Sequence, residues 1–229
     1  MASVLLIRHG QASFGKADYD RLSDVGQEQS RRLGRWFKHT GHAPDLVVVG
    51  PLRRHAHTAD LCVEVAGVSA PRITIAGLDE FDHEEVLARH RPDLASHEAL
   101  VAELAKLDDP HRAFQRLFSE AVARWTGGEF DHEYTRSWPA FRAAVMDGMQ
   151  ALAAQPARTI WAFTSGGPIA VIANALVGAP IAEVFTLSWP LVNTSTSRVS
   201  IGPQRRSLIS YNGWPHLEGA DTKEMVTYR

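Results

Sequence analysis

Four short apolar runs constrain the fold of this chain more than any other feature. They are rich in β-branched or aromatic residues and lie at Val4–Ile7, Leu46–Val49, Ile73–Ile75 and Thr159–Phe163. Nearly continuous apolarity is typical of strands that are covered on both faces, as in a parallel sheet between helices. Helical patterns alternate with these runs. We therefore predict an α/β fold of three layers, with a mainly parallel sheet flanked by helices.

The helical patterns have recognisable beginnings and ends. The first follows Ser23 or Asp24 and stops at Gly41, the second is "HTADLCVEVAG", and the third is "GGPIAVIANALVGAP" with Pro168 in its first turn. From about residue 82 to 154 the patterns are helical and no strand is convincing. We interpret that stretch as a helical cap inserted into a single domain of residues 1–229. The tail predicts a hairpin that turns at Gly202-Pro203.

Composition excludes several classes of protein. The chain has 229 residues, 45% of them apolar, and a net charge of −2, so a basic nucleic-acid or membrane surface is not expected. Cys62 is the single cysteine, which excludes an internal disulfide. No charged-plus-apolar leader or long apolar run is visible, and we expect a cytoplasmic protein. The histidines lack ligand spacing, so neither a metal nor another cofactor is implied. Oligomeric state stays open.

A different polar group follows each of the four runs. Arg8 and His9 follow the first, and Arg53 and Arg54 follow the second after a short turn. Asp79 and Glu80 follow the third, and "TSGG" at 164–167 ends the fourth. Ligands of open α/β sheets bind at the carboxyl ends of strands, so these groups are expected to share one crevice. Guanidinium groups and the amides that open a helix suit a phosphate monoester.

The same N-terminal loop also has the spacing of a P-loop, G-x-x-x-x-G-K, from Gly10 to Lys16. A P-loop needs Ser or Thr after the lysine to hold Mg²⁺, and here Ala17 follows. We interpret the match as accidental. The chemistry is then assigned to His9, since a histidine takes a phosphoryl group covalently and divides a hard displacement into two steps. The structural alternative is a core histidine at the end of a strand.

The arginines and carboxylates near His9 are candidates for charge stabilisation and proton transfer in such a reaction. Arg8 and Arg54 would neutralise charge on the transferred group, and Arg53 is assigned to solvent. Glu80 is the candidate general acid for the leaving alkoxide and the base for water. Several neighbours could serve instead of Glu80: Asp79, Asp82, His83, Glu84 and Glu85.

Five ordered segments carry a resemblance to a known family. They are "LLIRHG", "RLSDVGQEQ", "PLRRHAHTA", "LDE" and "TSGG", from Val4 to about Ala175. The pattern resembles the histidine phosphatase superfamily, the phosphoglycerate-mutase-like proteins. The resemblance implies that His9 is phosphorylated, that Arg8 and Arg54 bind the phosphate of a small phosphorylated substrate, and that Glu80 is the proton donor.

The chain departs from that family's pattern at several places, among them Gly15, where the family often has an asparagine. Ser165 stands where the family has a second histidine, and losing such a donor costs about 2.7–4 kcal/mol in the transition state. Gln11 replaces a commoner glutamate, and the loop from Gly15 to Leu22 is shorter than in the mutases. Ser165, Gly166 and Gln11 remain candidate phosphate-binding residues. A small phosphatase fits best. The alternatives are a weakened phosphate-binding or regulatory module and a phosphoglycerate-mutase-type isomerase.

Two further histidines, His55 and His57, follow Arg54. A metal site, or a replacement for the missing imidazole, is one interpretation. The preferred one is a pair of ordinary histidines on a helix surface. For Trp138 and Phe141 we also prefer the structural interpretation, in which they are core residues of the cap and do not form the wall of a substrate pocket.

Overall fold

The structure, a computed structural model, describes residues 2–13 and 20–228, apart from the side chain of His111. Its strands are β1 (Ala2–Arg8), β2 (Leu46–Val49), β3 (Arg72–Thr74), β4 (Thr159–Thr164), β5 (Thr196–Ile201) and β6 (Arg206–Gly213). Its α-helices are α1 (Asp24–Thr40), α2 (Arg53–Ala66), α3 (His83–His90), α4 (His97–Leu104), α5 (Pro110–Thr126), α6 (Trp138–Ala153), α7 (Gly166–Val177), α8 (Val184–Ser188) and α9 (Thr222–Met225).

The six strands form one mixed sheet in the order β3-β2-β4-β1-β5-β6. The four strands from the predicted apolar runs are parallel to one another, and β5 and β6 add an antiparallel edge. The α/β fold with a mainly parallel sheet is thus confirmed. The hairpin at Gly202-Pro203 is confirmed as well, since β5 pairs with β6 across that turn.

Both faces of the central strands are buried, as their unbroken apolarity predicts. Leu5, Val47 and Trp161 face the side where Leu33 and Phe37 of α1 pack together with α2. The residues that alternate with them along the strands are fully buried too: Val4, Leu6, Val48, Ile160 and Ala162. Helices therefore cover a sheet that has no solvated face at its centre.

Helix α1 begins and ends where the sequence predicts. The Ser23 side chain accepts a hydrogen bond from the Gly26 amide, and Gly41 ends the helix in the left-handed conformation. Helix α2 differs from the prediction, because it begins at Arg53 and not at His57. The carboxylate of Asp20 accepts hydrogen bonds from the Arg53 and Arg54 amides and so caps an earlier start than the pattern from His57 indicates.

The chain divides into two compact units, one of Met1–Glu80 with Ala144–Arg229 and one of Phe81–Ala143. The second unit contains α3, α4, α5 and the start of α6, and its core is aromatic. Trp125 is within 5.1 Å of Trp138 and 5.6 Å of Phe141 between ring centroids. Both of those residues are buried, as the core interpretation predicts. A single domain with a cap of about 82–154 stays a prediction.

Some predictions concern residues that the structure does not describe. The P-loop spacing and the shortened loop both include residues 14–19, which lie outside the described ranges. No helix within 2–13 and 20–228 is long and apolar enough to cross a membrane. The cytoplasmic location stays a prediction.

Candidate active site

The register of the parallel strands gathers the predicted polar groups at one edge of the sheet. Arg8 at the end of β1 pairs with Thr164 at the end of β4, and Val49 at the end of β2 pairs with Phe163. The residues that follow, among them His9 and Ser165, therefore emerge side by side. This is the carboxyl edge at which α/β sheets bind ligands.

His9 is held in one orientation by its surroundings. It is 4% exposed, and Nδ1 donates to the Gly10 carbonyl oxygen at 2.7 Å. The hydrogen on Nδ1 leaves a lone pair on Nε2, which accepts a hydrogen bond from Arg54 Nε at 3.2 Å. The loop after His9 is fixed in turn, because the Gly10 amide donates to Thr58 Oγ1 on α2 at 3.0 Å.

The environment of His9 favours its neutral form. Burial holds the pKa of the imidazole well below its ordinary value, and the charges of Arg54 and Arg8 and the neighbouring His55 act in the same direction. The hydrogen bond to Gly10 opposes them. A neutral imidazole with its Nε2 lone pair beside a guanidinium is equipped to attack an electron-poor centre such as phosphorus.

Arg54 is a buried cation of the site, and its guanidinium makes two contacts. It is 6% exposed and lies in the first turn of α2, so its position follows from the helix. Nη1 forms an ion pair with Asp20 Oδ1 at 2.9 Å while Nε reaches His9. Asp20 was missed in the sequence analysis, since nothing in the order of residues links it to a helix that begins 33 residues later.

Arg8 points towards the C-terminal part of the chain. Its Nη1 donates to the Leu191 carbonyl, and Nη2 donates to the Tyr228 carbonyl at 2.9 Å. Gly166 lies beside the guanidinium, where a Cβ would be 3.7 Å from Arg8 Nε. The positive charge of Arg8 is thus close enough to lower the pKa of His9. Its direct role in phosphate binding stays a prediction.

Glu80 lies between β3 and α3, and its carboxylate reaches the start of α7. One carboxylate oxygen, Oε2, accepts a hydrogen bond from the Gly167 amide at 3.1 Å, and the Glu80 amide bonds Asp79 Oδ1 at 2.8 Å. Ser165 is the N-cap residue of that helix, yet its side chain makes no cap hydrogen bond. Glu80 therefore takes the capping position that a serine hydroxyl usually fills. The structure brings Glu80, Ser165 and Gly166 together at one helix start.

Gln11 supports the loop that follows His9. Its side-chain oxygen accepts a hydrogen bond from Ser23 Oγ at 2.7 Å, and its amide donates to Gln29 Oε1 at 2.9 Å. The residue thus links the loop to the beginning of α1. Its predicted contact with phosphate stays a prediction.

The structure places His55 in the interior and not on the helix surface where the sequence analysis put it. The interpretation as a helix-surface histidine is wrong, because His55 is fully buried and Nε2 lies 2.7 Å from Ser165 Oγ. The ring centroid is 5.8 Å from that of His9. Helical periodicity could have found this residue, since His55 lies on the buried stripe of α2 that includes Ala59, Cys62 and Ala66. His57 lies off that stripe and is half-buried.

The residues that the structure describes contain no group of three or more histidine, cysteine or carboxylate side chains arranged to hold a metal ion. The chemistry available to the described site is that of imidazole, guanidinium, carboxylate, hydroxyl and backbone amide groups.

Comparisons with known proteins identify a related sequence and two solved structures of similar fold. A 2,3-bisphosphoglycerate-dependent phosphoglycerate mutase of Thermobifida fusca is 36% identical over 75 residues, which cover 30% of each protein. The match thus spans less than a third of that mutase. An alpha-ribazole phosphatase of Shigella flexneri shares the fold with a TM-score of 0.61 at 19% identity, covering 92% of this chain and 96% of that one.

A phosphoserine phosphatase of Entamoeba histolytica, solved with 3-phosphoglyceric acid, has a TM-score of 0.63 at 19% identity. That similarity covers 95% of this chain and 100% of the other. The family model of the histidine phosphatase superfamily (branch 1) matches residues 4–213, nearly the whole chain. The chain belongs to the histidine phosphatase superfamily.

Proposed function

We propose that this protein is a phosphatase that hydrolyses a phosphomonoester through a phosphohistidine at His9. One observation carries the proposal. The Nδ1–H bond to Gly10 directs the Nε2 lone pair of a buried, neutral imidazole towards the guanidinium of Arg54. A nucleophile thus lies next to a cation that can bind the phosphate, and phosphoryl transfer depends on this positioning and on the stabilisation of negative charge.

The reaction has two steps. In the first, Nε2 of His9 forms a bond to phosphorus as the ester P–O bond breaks, and Glu80 gives a proton to the leaving alkoxide. In the second, Glu80 takes a proton from water, whose oxygen attacks phosphorus as the N–P bond breaks. Inorganic phosphate leaves and both residues return to their starting forms. Arg54 and Arg8 balance the charge of the phosphoryl oxygens throughout.

The substrate is a small phosphorylated molecule of unassigned identity. The names of the structural neighbours, an alpha-ribazole phosphatase and a phosphoserine phosphatase, support hydrolysis over isomerisation. The mutase relative leaves isomerisation as a related reaction to test, and interconversion of phosphoglycerates would reveal it.

A second candidate function is a phosphate-ligand binding or regulatory module with little turnover. It is favoured by Ser165, which brings no charge where the family has a second histidine. The two functions differ in turnover, because a binding module gains stability from phosphate without releasing it from an ester.

The experiment is release of inorganic phosphate from an aryl phosphate by wild type, His9→Ala, Arg54→Ala and Arg53→Ala. A phosphatase releases phosphate steadily, loses all turnover in His9→Ala and most of it in Arg54→Ala. Arg53 is the matched control, since it is adjacent in sequence and exposed. Absence of turnover in wild type, together with an Arg54-dependent rise in Tm in inorganic phosphate, would favour the binding module instead.

A further inference from the structure

A circuit of four hydrogen bonds encloses the loop that begins at His9. The Gln11 amide donates to Gln29 Oε1 at 2.9 Å, and Gln29 Nε2 donates to Thr227 Oγ1 at 2.8 Å. Thr227 Oγ1 donates to Asn193 Oδ1 at 2.9 Å, and Asn193 Nδ2 donates to the His9 carbonyl oxygen at 3.1 Å. Three side chains from distant parts of the chain thus join the amide of Gln11 to the carbonyl of His9.

The two ends of the circuit fix the direction of every hydrogen bond in it. A backbone amide can only donate, and a backbone carbonyl oxygen can only accept. Gln29 therefore turns its oxygen to Gln11 and its amide nitrogen to Thr227. The single hydrogen of the Thr227 hydroxyl goes to Asn193 Oδ1, which leaves the amide nitrogen of Asn193 for His9. Residue 227 must both accept and donate, so the circuit needs a hydroxyl there.

The two amide side chains of the circuit are shielded from water. Gln29 and Asn193 are both fully buried. Gln29 Nε2 gives its other hydrogen to the Met225 carbonyl oxygen at 2.7 Å, so both polar ends of this side chain are satisfied inside the protein. A buried polar group that loses its partner is costly, because no water replaces that partner. The circuit therefore resists shifts that would open one of its bonds.

The turn that carries Asn193 is strained. Its next residue, Thr194, has a φ of 61°, which is rare for a β-branched residue. The Thr194 amide donates to the carbonyl oxygens of Arg8 at 3.1 Å and His9 at 3.3 Å. Such a conformation persists where the surroundings hold it. Thr227 holds this turn twice, through its hydroxyl and through its carbonyl oxygen, which accepts from the Asn193 amide at 2.9 Å.

One bond of the circuit bears directly on the direction of the His9 ring. The Gln11 amide, which Gln29 holds, shares a planar peptide group with the Gly10 carbonyl. That carbonyl accepts the hydrogen of His9 Nδ1 at 2.7 Å. The orientation of this peptide group therefore sets the orientation of the imidazole, and with it the direction of Nε2 towards Arg54.

We propose that Thr227 is a positioning residue of the active site, whose hydroxyl sets the direction in which His9 presents Nε2. It acts through Gln29 on the peptide group that orients the imidazole, and through Asn193 on the His9 carbonyl. The Thr227 hydroxyl forms and breaks no covalent bond in the reaction. This inference rests on the proposed phosphatase function and deepens it.

Thr227→Val and Thr227→Ser separate the hydroxyl from the rest of the side chain. Valine has nearly the same shape as threonine and keeps the backbone bonds of residue 227, but it opens the circuit. Phosphoryl transfer to His9 from a saturating aryl phosphate, measured by rapid quench in alkali, is expected to slow by roughly 10- to 100-fold, because Nε2 is misplaced. Thr227→Ser should recover most of the wild-type rate. Affinity for inorganic phosphate should stay close to that of wild type, since Asp20 holds Arg54 outside the circuit.

Thr222→Val is the matched control. Thr222 is half-buried like Thr227, and its hydroxyl hydrogen bonds to the Leu217 and Gly219 carbonyl oxygens, outside the circuit. Its loss should lower Tm and leave phosphoryl transfer at the wild-type rate. A wild-type rate in Thr227→Val, an equal fall in Thr222→Val, or no recovery in Thr227→Ser would overturn the proposal.

Hydrogen exchange of the Gln11 amide tests the circuit without any turnover. Breaking the circuit at Thr227 loosens Gln29, the acceptor that protects this amide. By NMR, the Gln11 amide of Thr227→Val should exchange roughly 5- to 10-fold faster than in wild type, as expected when one hydrogen bond is lost. Thr222→Val should leave its exchange as it is. Equal exchange in Thr227→Val and wild type would overturn the proposal.

The two proposals fail in different ways. Absence of turnover and of a His9 adduct in wild type would contradict the phosphatase function alone. Wild-type exchange and a wild-type rate in Thr227→Val would contradict the role of Thr227 alone.

Discussion

Asp20 holds Arg54 at two points, accepting from its backbone amide at 3.3 Å and forming an ion pair with Nη1 at 2.9 Å. The same guanidinium reaches His9 through Nε. A carboxylate outside the predicted motifs thus fixes both the start of the helix that carries Arg54, the proposed phosphate-binding cation, and the direction in which its guanidinium points.

Replacing Asp20 with alanine should weaken catalysis and stability together. The freed guanidinium is misplaced by an ångström or more, and we expect kcat/KM to fall by about 10- to 100-fold. Loss of the cap should lower the free energy of unfolding by about 1 kcal/mol. Aryl phosphate kinetics and urea unfolding measure the two effects. Asp24→Ala, an exposed acidic position in the first turn of α1, is the control. Unchanged kinetics in Asp20→Ala would show that Arg54 is positioned without Asp20.

Gly26→Ala should destabilise the protein although alanine is the better helix former. Helix propensity alone would favour alanine by about 1 kcal/mol. A Cβ at Gly26 would lie 2.1 Å from the Gln11 carbonyl oxygen, which belongs to the loop after His9. Relieving that clash moves the backbone, and we expect a net loss of about 1–3 kcal/mol in urea unfolding. Arg35→Ala, exposed on the same helix, is the control, and a gain of stability in Gly26→Ala would refute the close approach.

His216 should make the protein less stable in acid. Burial, and then the charge of Arg32, lower its pKa from 6.5 to about 3. Between these values the unfolded chain binds a proton that the folded one does not, so the free energy of unfolding falls as the pH falls below 6.5. One such group contributes at most about 1.4 kcal/mol per pH unit.

The measurement is urea unfolding over a series of pH values for wild type and His216→Asn. The variant should show a shallower slope on the acid side and a constant difference from wild type above pH 6.5. The variant should retain part of the pH dependence of unfolding, because the buried residues His9 and His55 also have lowered pKa values. Substitution of the exposed His39 should leave the slope as it is. Equal slopes in wild type and His216→Asn would contradict this account.

The features that the sequence predicts well are those that local patterns encode. Unbroken apolar runs predict strands buried on both faces, and the polar residues after them lie together because the carboxyl ends of parallel strands share an edge. Ser23 and Gly41 mark the ends of α1 through their own side chain and backbone, so the boundaries of that helix were correct.

The features that the sequence misses depend on contacts between distant residues. Helix α2 begins early because Asp20 caps it from another loop, and no local signal reports that cap. The buried stripe of α2 indicates that His55 is buried, but not that it contacts Ser165, which is 110 residues away in sequence. The sequence shows Ser165 in place of a histidine, but it does not show that the imidazole of His55 contacts this serine.

The most direct test of the central claim is the mass of intact protein quenched in alkali after brief mixing with a reactive aryl phosphate. Wild type should carry one phosphoryl group that is absent from His9→Ala, since alkali preserves phosphohistidine. A phosphoryl adduct that persists in His9→Ala, or hydrolysis by His9→Ala at the wild-type rate, would contradict covalent catalysis by His9.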